Sequence, residues 1–569
     1  MDIRRTVLWM IFSFSLLLLW NNWQVHNGKP SLFGGPTPAT APQAQNQPPS
    51  TTGTPQQNPG TAIPSAPDAA QPASAAPGGV PAGAARAAAE SQKVVVTTDV
   101  LRLTFDTTGA QIVRAVLLKY PDANRGDQPT VLLDDSSDLN YVVQSGVVGA
   151  AGQPGFPTHQ TPFRMISSER NMTGDTLSVV FEAESGGMKV TKTYTLHRGR
   201  YDIDVRHDMT NTSANPARPS LYLQLQRDGN NPPDTSSFYH TFTGMAVYSD
   251  QDKFQKATFS DIEKKKASYI KQADNGWIAV VQHYFATAWI PPEGKVRTNE
   301  LVQVRDNLFA ARTVEAVGEV APGASATVDA HLWVGPQDQK AMAALAPGLE
   351  LVVDYGWLTI IAKPLFALMT WLHSILGNWG WTIVALTVLI KLVFYPLAAT
   401  SYRSMARMKQ VTPRLQALKE KYGDDKQKLN AAMMEMYRTE KINPLGGCLP
   451  MVVQIPVFIS LYWVLLASVE MRGAPWLGWV HDLSVHDPYF ILPAIMMATM
   501  FLQIKLNPTP PDPVQAKVMM IMPLVFGGMM FMFPAGLVLY WCVNNTLSIL
   551  QQWYITRKLR VETEAAAKR

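Results

Sequence analysis

The chain reads as a membrane α-helical bundle of six crossings joined to a large all-β sandwich held outside the cytoplasm. Three observations predict this. Charged residues make up only 16% of the chain, against roughly 25% in soluble proteins, and they almost vanish from several long stretches near the C-terminus. Residues 93–348 alternate apolar and polar side chains with period two, the pattern of half-buried strands. A short, strongly basic segment then separates two apolar runs, which fixes its side of the membrane by the positive-inside rule.

With 569 residues the chain is long enough for two or three domains. A net charge of +5 is slight for that length, so bulk charge gives no case for a nucleic-acid substrate and the placement of the cations matters more. Cys448 and Cys542 are the only cysteines, and both lie in apolar segments. The soluble region therefore has neither an internal disulfide nor a cysteine-based zinc site.

Residues 1–24 carry Arg4 and Arg5 before an apolar run from Val7 to Trp20 and lack a small-x-small cleavage site. They are read as an uncleaved anchor with its N-terminus in the cytoplasm, a cleaved signal peptide being the alternative. Residues 25–92 are rich in Pro, Ala and Gln, and between Gly34 and Glu90 only Asp68, Arg86 and Glu90 are charged. Such a composition cannot bury enough surface to fold, so a disordered tether is expected.

In the β-region, Leu101, Leu103 and Phe105 alternate with Arg102, Thr104 and Asp106, and Tyr201, Ile203 and Val205 with Asp202, Asp204 and Arg206. Leu221, Leu223 and Leu225 continue the pattern, while KYPDANRGDQ and GNNPPDTSS read as loops. Residues 349–375 are apolar but broken by Asp354, Lys363, Pro364 and His373. Counting them as a crossing would invert everything after them, so they are placed in the membrane surface as an amphipathic helix.

The second crossing, 376–397, contains WTIVALTVLIKLVFYP and one charge, Lys391. Residues 398–443 follow with ten cations against five anions and are read as a cytoplasmic pair of antiparallel helices turning at Tyr422-Gly423-Asp424-Asp425. Four further crossings occupy 444–556: Leu445–Val469, Pro488–Leu506, Ala516–Phe533 and Ala535–Tyr554. A basic tail, 557–569, ends the chain inside. The parity of this arrangement closes with both termini in the cytoplasm and the β-region outside.

Lys391 is the costly residue, since a cation at the centre of a crossing is penalised by roughly 2.5–3.5 kcal/mol. One reading is snorkelling, because about six residues at 1.5 Å each leave it roughly 9 Å from the end of the crossing. The other requires polar company: Thr387 lies one turn earlier, and Gln454, Trp541, Asn544, Asn545, Ser548, Gln551 and Gln552 stand on other crossings. Converging, they would enclose a wet cationic concavity; taken singly, each could be an interhelical hydrogen bond. Met496, Met497, Met500, Met519, Met520, Met522, Met529, Met530 and Met532 crowd the fourth and fifth crossings, as lipid-facing residues or as a surface for varied apolar partners.

There is no GxxxxGK[ST], no HExxH, and no GxSxG in the membrane half. The Asp, Glu and His residues of the β-region show no spacing that singles out a catalytic set, so the chain is read as no enzyme, without cofactor or metal site.

Asn443-Pro444-Leu445-Gly446-Gly447-Cys448-Leu449-Pro450, Gly536-Leu537-Val538-Leu539-Tyr540-Trp541, the start of the basic hairpin from Tyr402 to Met408, and the order of six crossings together resemble the YidC family of bacterial membrane protein insertases. The resemblance covers essentially the whole chain, more loosely in the β-region. It implies an inner-membrane protein whose last five crossings form the insertase core, a hydrophilic groove open to cytoplasm and lipid but closed outside. The groove cation maps onto Lys391, and groove-lining positions onto Thr387, Gln454, Trp541 and Asn544. Arginine is common in Gram-negative members where Lys391 stands, and tyrosine where Trp541 stands. Arg403, Arg407, Lys409 and Arg414 become a cytoplasmic surface for capture. The implied partners are nascent inner-membrane proteins, the ribosome, the Sec translocon and membrane lipids. A transporter or channel for an anionic solute and a membrane-anchored carbohydrate-binding protein are the competing classes.

Overall fold

The computed structural model describes residues 91–567 apart from 123–127, 150–154, 233–240, 424, 441–448 and 508–512. The expected N-terminal anchor, the tether up to residue 90, residues 123–127 of the first named loop and 233–237 of the second, Asp424 of the hairpin turn, and Asn443 to Cys448 lie outside the described residues. Two compact units divide at about residue 354.

The N-terminal unit is the expected all-β sandwich, two antiparallel sheets of nine strands each. The strand Met188–His197 shows why the period-two reading works. Met188, Val190, Lys192, Tyr194 and Leu196 point inward, and the residues between them stand at the surface. Phe105, Phe181, Trp289 and Trp333 fill the core, aromatic rings whose burial dominates its energetics. The strand Pro219–Asp228 departs from the one-wet-face expectation, being buried along its whole length. It lies mid-sheet between Asn140–Gly149 and Leu308–Ala316, and the amide nitrogens of its Gln224 and Gln226 donate sideways to the neighbouring strand, while Gln224 Oε1 is left without a partner. Gln224 Nε2 donates to Gln144 Oε1 at 2.7 Å, and Gln144 Nε2 in turn to Gln111 Oε1 at 2.8 Å. An amide ladder thus replaces solvent, as buried polar groups require.

Lys192 is fully buried although it carries an amine. Its Nζ donates to the carbonyls of Gly109 (2.7 Å) and Ser145 (2.8 Å), bridging from its own sheet to the opposite one. His207 is buried beside it, its Nε2 2.9 Å from Ser145 Oγ and its Nδ1 without a hydrogen-bond partner. Burial holds Lys192 down at about 7 and, with the Lys192 charge adding to burial, His207 at about 3. A depressed base means that the unfolded chain takes up a proton the folded one refuses. Stability therefore falls with falling pH, from about 10.5 to 7 for Lys192 and from about 6.5 to 3 for His207, by at most about 1.4 kcal/mol per pH unit per group. The urea midpoint of the β-unit in the full chain, followed by its β-sheet circular dichroism, should drop between pH 6.5 and 4. His207→Gln should flatten that slope, and an unaltered slope would refute the assignment.

The C-terminal unit is helical: α1 (Thr359–Leu376), α2 (Trp379–Val393), α3 (Tyr395–Tyr422), α4 (Lys426–Thr439), α5 (Leu449–Ala467), α6 (Ile491–Leu506), α7 (Pro513–Met530) and α8 (Ala535–Ala567). α8 is the hub, packed against α2, α3, α5 and α6. Gly377, with φ +64°, ends α1 in the left-handed conformation that glycine tolerates. The Asn378 side chain then caps α2 by accepting from Trp381 N at 3.1 Å. Gly380 is required by close approach, because a Cβ there would stand 2.1 Å from the Trp476 ring.

Several boundaries differ from the sequence expectations. The second crossing breaks at Phe394, before Pro396, and α3 leaves α2 at 68°. Lys391 therefore sits in the last turn of α2 rather than six residues from its end. α8 runs on to Ala567, so most of the basic tail continues the last helix. Among the described residues only α1, the segment assigned to the membrane surface, is by itself long and apolar enough to cross a bilayer. α2 and α3 qualify only as a bent pair, while Gln454–Ala467, Ile491–Leu506 and Ala516–Met530 are shorter apolar helices. The count of six crossings is thus not carried by helix length. α1 buries one stripe, Ala362, Met369 and Leu372, against the bundle and leaves Ile360, Trp371 and Ile375 exposed.

Candidate functional site

The site is assembled where α2, α5 and α8 meet. Thr387 and Lys391 are one turn apart on α2, and both are buried, Lys391 with 8% of its surface exposed. On α8, Trp541, Asn544, Ser548, Gln551 and Gln552 recur at helical spacing and form one polar and aromatic stripe. Gln454 contributes from α5.

Lys391 Nζ donates to Ser548 Oγ at 2.8 Å, and that hydroxyl donates onward to the Asn544 carbonyl at 2.8 Å. The hydroxyl oxygen is therefore left as an acceptor for the amine. Gln454 Nε2 lies 3.4 Å from Asn544 Oδ1, and Gln551 Nε2 lies 3.5 Å from the Lys391 carbonyl. Lys391 uses one of its three donors, and no carboxylate among the described residues pairs with it. The Gln551 Oε1 atom is buried without a donor. The cluster thus holds a buried amine without a carboxylate partner and a buried amide oxygen without a donor among the described residues.

The expected residues are not equally placed. Lys391, Gln454 and Asn544 join one polar cluster. Thr387 does not offer its hydroxyl, which donates to the Ile383 carbonyl one turn back at 2.7 Å. Trp541 belongs to an aromatic wall, its ring centroid 4.4 Å from Phe458 and 5.2 Å from Phe526. A second polar layer joins the expected Asn545 and Gln552 to two residues that the sequence reading did not name, Thr499 and Gln503. Gln503 Nε2 donates to Gln552 Oε1 at 2.8 Å, and Thr499 faces Asn545 at 3.5 Å. Thr499 and Gln503 are four residues apart in an apolar helix, a spacing that could have marked them.

Asp487 also escaped notice. Buried just before α6, it accepts from Trp479 Nε1 (2.9 Å), Tyr489 N (3.0 Å) and Leu492 N (2.7 Å). This carboxylate pins the loop between α5 and α6 to the start of α6.

The basic hairpin forms as α3 and α4. Val411 and Leu415 pack with Met408, Met433, Met436 and Tyr437 as its seam. Arg414 pairs with Glu440 across it, whereas Arg403, Arg407 and Lys409 are exposed and form no ion pair among the described residues. On α7, Met520, Met522 and Met529 are exposed while Met530 is buried, so the methionine cluster presents part of itself outward. Among the described residues no His, Cys, Asp or Glu group is arranged to hold a metal ion.

Residues 93–368 match the family model described as the YidC periplasmic domain, and residues 371–563 match that described as the 60Kd inner membrane protein. The chain is 78% identical over 569 residues to the membrane protein insertase YidC of Bordetella pertussis, covering 100% of both chains. It is 53% identical to that of Ralstonia nicotianae, again over 100% of both. A crystal structure of an active YidC insertase with its first transmembrane domain resolved matches over 81% of this chain and 92% of that one, at 18% identity and a TM-score of 0.38.

Proposed function

The chain belongs to the YidC family of membrane protein insertases, and from that premise we propose that it inserts its substrates by offering the Lys391 amine as a stationary counter-charge. It is an inner-membrane insertase with a periplasmic β-domain. The observation that supports the mechanism is the Lys391–Ser548–Asn544 cluster, a buried cation held by a hydroxyl rather than neutralised by a carboxylate. An acidic, hydrophilic tail of the substrate enters beside it from the cytoplasmic side, using the charge that the protein itself leaves unpaired. The substrate's apolar helix meanwhile leaves past the third crossing and the Met-rich fifth, α7, and passes into lipid.

Partitioning supplies the drive. Around twenty apolar residues at a few tenths of a kcal/mol each offset one or two charges in transit. For an acidic tail moving outward, the membrane potential adds roughly 2.3 kcal/mol per charge per 100 mV. No hydrolysis is needed. In this reading both termini are cytoplasmic, the hairpin and the Arg557, Lys558 and Arg560 tail receive the ribosome or the substrate, and the Sec translocon is a partner for part of the work.

Removing residues 93–347 separates this reading from its competitors. Cells depleted of the wild-type protein and supplied with the deletion variant should still insert an acidic-tailed single-span substrate, with most of the wild-type yield. Loss of insertion by a variant that reaches the membrane would favour a function seated in the β-domain. Solute flux through liposomes containing the purified variant, without insertion, would favour a channel.

A further inference from the structure

At the end of the helical unit that carries the basic hairpin, a cavity of about 400 Å³ opens between α3, α6 and α8. Tyr402, Met405 and Lys409 line it from one face of α3, and Trp553 and Arg557 from one face of α8, with Leu506 at the end of α6. Its floor is fixed by Gln552, which donates to Asn507 Oδ1 at 3.1 Å and so ties α8 to the end of α6. Two cations stand at the rim. The Arg557 guanidinium lies over the Trp553 ring at 5.3 Å, and neither Arg557 nor Lys409 forms an ion pair among the described residues. Among the described residues no acidic side chain lines the cavity.

We propose that this cavity binds the headgroup phosphate of an anionic phospholipid, with Lys409 and Arg557 on the phosphate and Leu506, Met405 and Trp553 against the start of its acyl chains. The combination of charges with apolar walls argues for the lipid. A free anion would gain nothing from Leu506 and Met405, whereas a lipid presents charge and hydrocarbon side by side, and basic pockets between membrane helices on the cytoplasmic side recognise such headgroups. Tyr402 and Trp553 suit the headgroup level, where amphipathic aromatic rings collect. The cavity adjoins the Lys391 cluster through Tyr402, which is hydrogen-bonded to Ser548, and through Gln552 on the same stripe of α8, but its assignment to a lipid does not rest on how substrates are inserted.

The test uses the full chain in nanodiscs of phosphatidylcholine with a minor share of phosphatidylglycerol, followed by detergent release and native mass spectrometry of the retained lipid. Wild-type protein should retain phosphatidylglycerol selectively. The double variant Lys409→Gln/Arg557→Gln should lose roughly thirtyfold in retention, given about 1 kcal/mol per cation near an anionic surface and 1.36 kcal/mol per decade. Ala406→Phe, which fills the cavity without touching a charge, should lose it too. Arg403→Gln/Arg407→Gln removes the same amount of charge, from α3 alone and outside the cavity, and should retain the lipid. Equal retention in the first double variant and wild type, or equal loss in both double variants, would overturn the site. Displacement by inorganic phosphate or a free acidic peptide, at concentrations where phosphatidylcholine retention is unchanged, would overturn its assignment to a lipid.

Discussion

Replacing Lys391 with glutamate is expected to reduce tail translocation of an acidic-tailed single-span substrate by more than tenfold in cells depleted of the wild-type protein. A charge pair about 4 Å apart contributes about 4 kcal/mol at an effective dielectric near 20. A tail that keeps part of its hydration realises roughly half of that, which at 1.36 kcal/mol per decade is about thirtyfold. Reversal should exceed neutralisation, so Lys391→Ala should fall between glutamate and wild type. Lys391→Arg should remain active, because a guanidinium keeps the charge and can still donate to Ser548. The yields should also diverge by substrate, with a neutral-tailed substrate much less affected. Full activity of the glutamate variant on the acidic tail would remove the electrostatic role altogether.

The geometry also sets what a loss would mean. Ser548 contributes an acceptor to Lys391 because its own proton goes to the Asn544 carbonyl. Removing the amine therefore leaves a hydroxyl that is still bonded within its helix, and the helix contacts around it survive. A defect from Lys391→Ala accordingly reports on the missing charge more than on collapsed packing, and normal membrane abundance of the variant is the accompanying measurement.

Much of this arrangement was legible in the sequence because it rests on periodicity. The alternation in the β-region gave the sandwich, since a strand's faces are set by parity alone. The polar residues of the last crossing recur at helical spacing, so Asn544 and Ser548 could be placed on one face before any contact was known. What parity could not reveal was direction at the level of single hydroxyls. Thr387 shares a face with Lys391, yet its hydroxyl turns back to Ile383, the local bond that threonine makes inside helices. Nor could it show that the strand holding Leu221, Leu223 and Leu225 is covered on both faces, because the amide ladder through Gln224, Gln144 and Gln111 depends on partners far away in the chain. The bend at Phe394 had a local signal in Pro396, but a proline in the first turn of a helix is also an ordinary start. Its consequence, Lys391 at a helix end, follows only from the break.

Deletion of residues 403–438 should abolish growth on the variant alone and remove ribosome association, with the protein still reaching the membrane. The hairpin's architecture allows a finer version of that experiment. Arg414 is engaged with Glu440 and closes the two helices, while Arg403 and Arg407 are exposed on α3 without ion pairs among the described residues. Arg403→Glu/Arg407→Glu should therefore lower ribosome cosedimentation roughly tenfold at low salt, and by less as salt rises, since exposed charges are screened within about 10 Å at 0.1 M. Arg414→Ala should act differently. Removing an exposed pair costs at most about 1 kcal/mol, and the seam of Val411, Leu415 and Met433 remains, so binding should fall little and with no change in its salt dependence. A charge-reversed variant that cosediments and supports growth like wild type would reject the hairpin as the capture surface. The Lys391 cluster would then have to act without a cytoplasmic receiver.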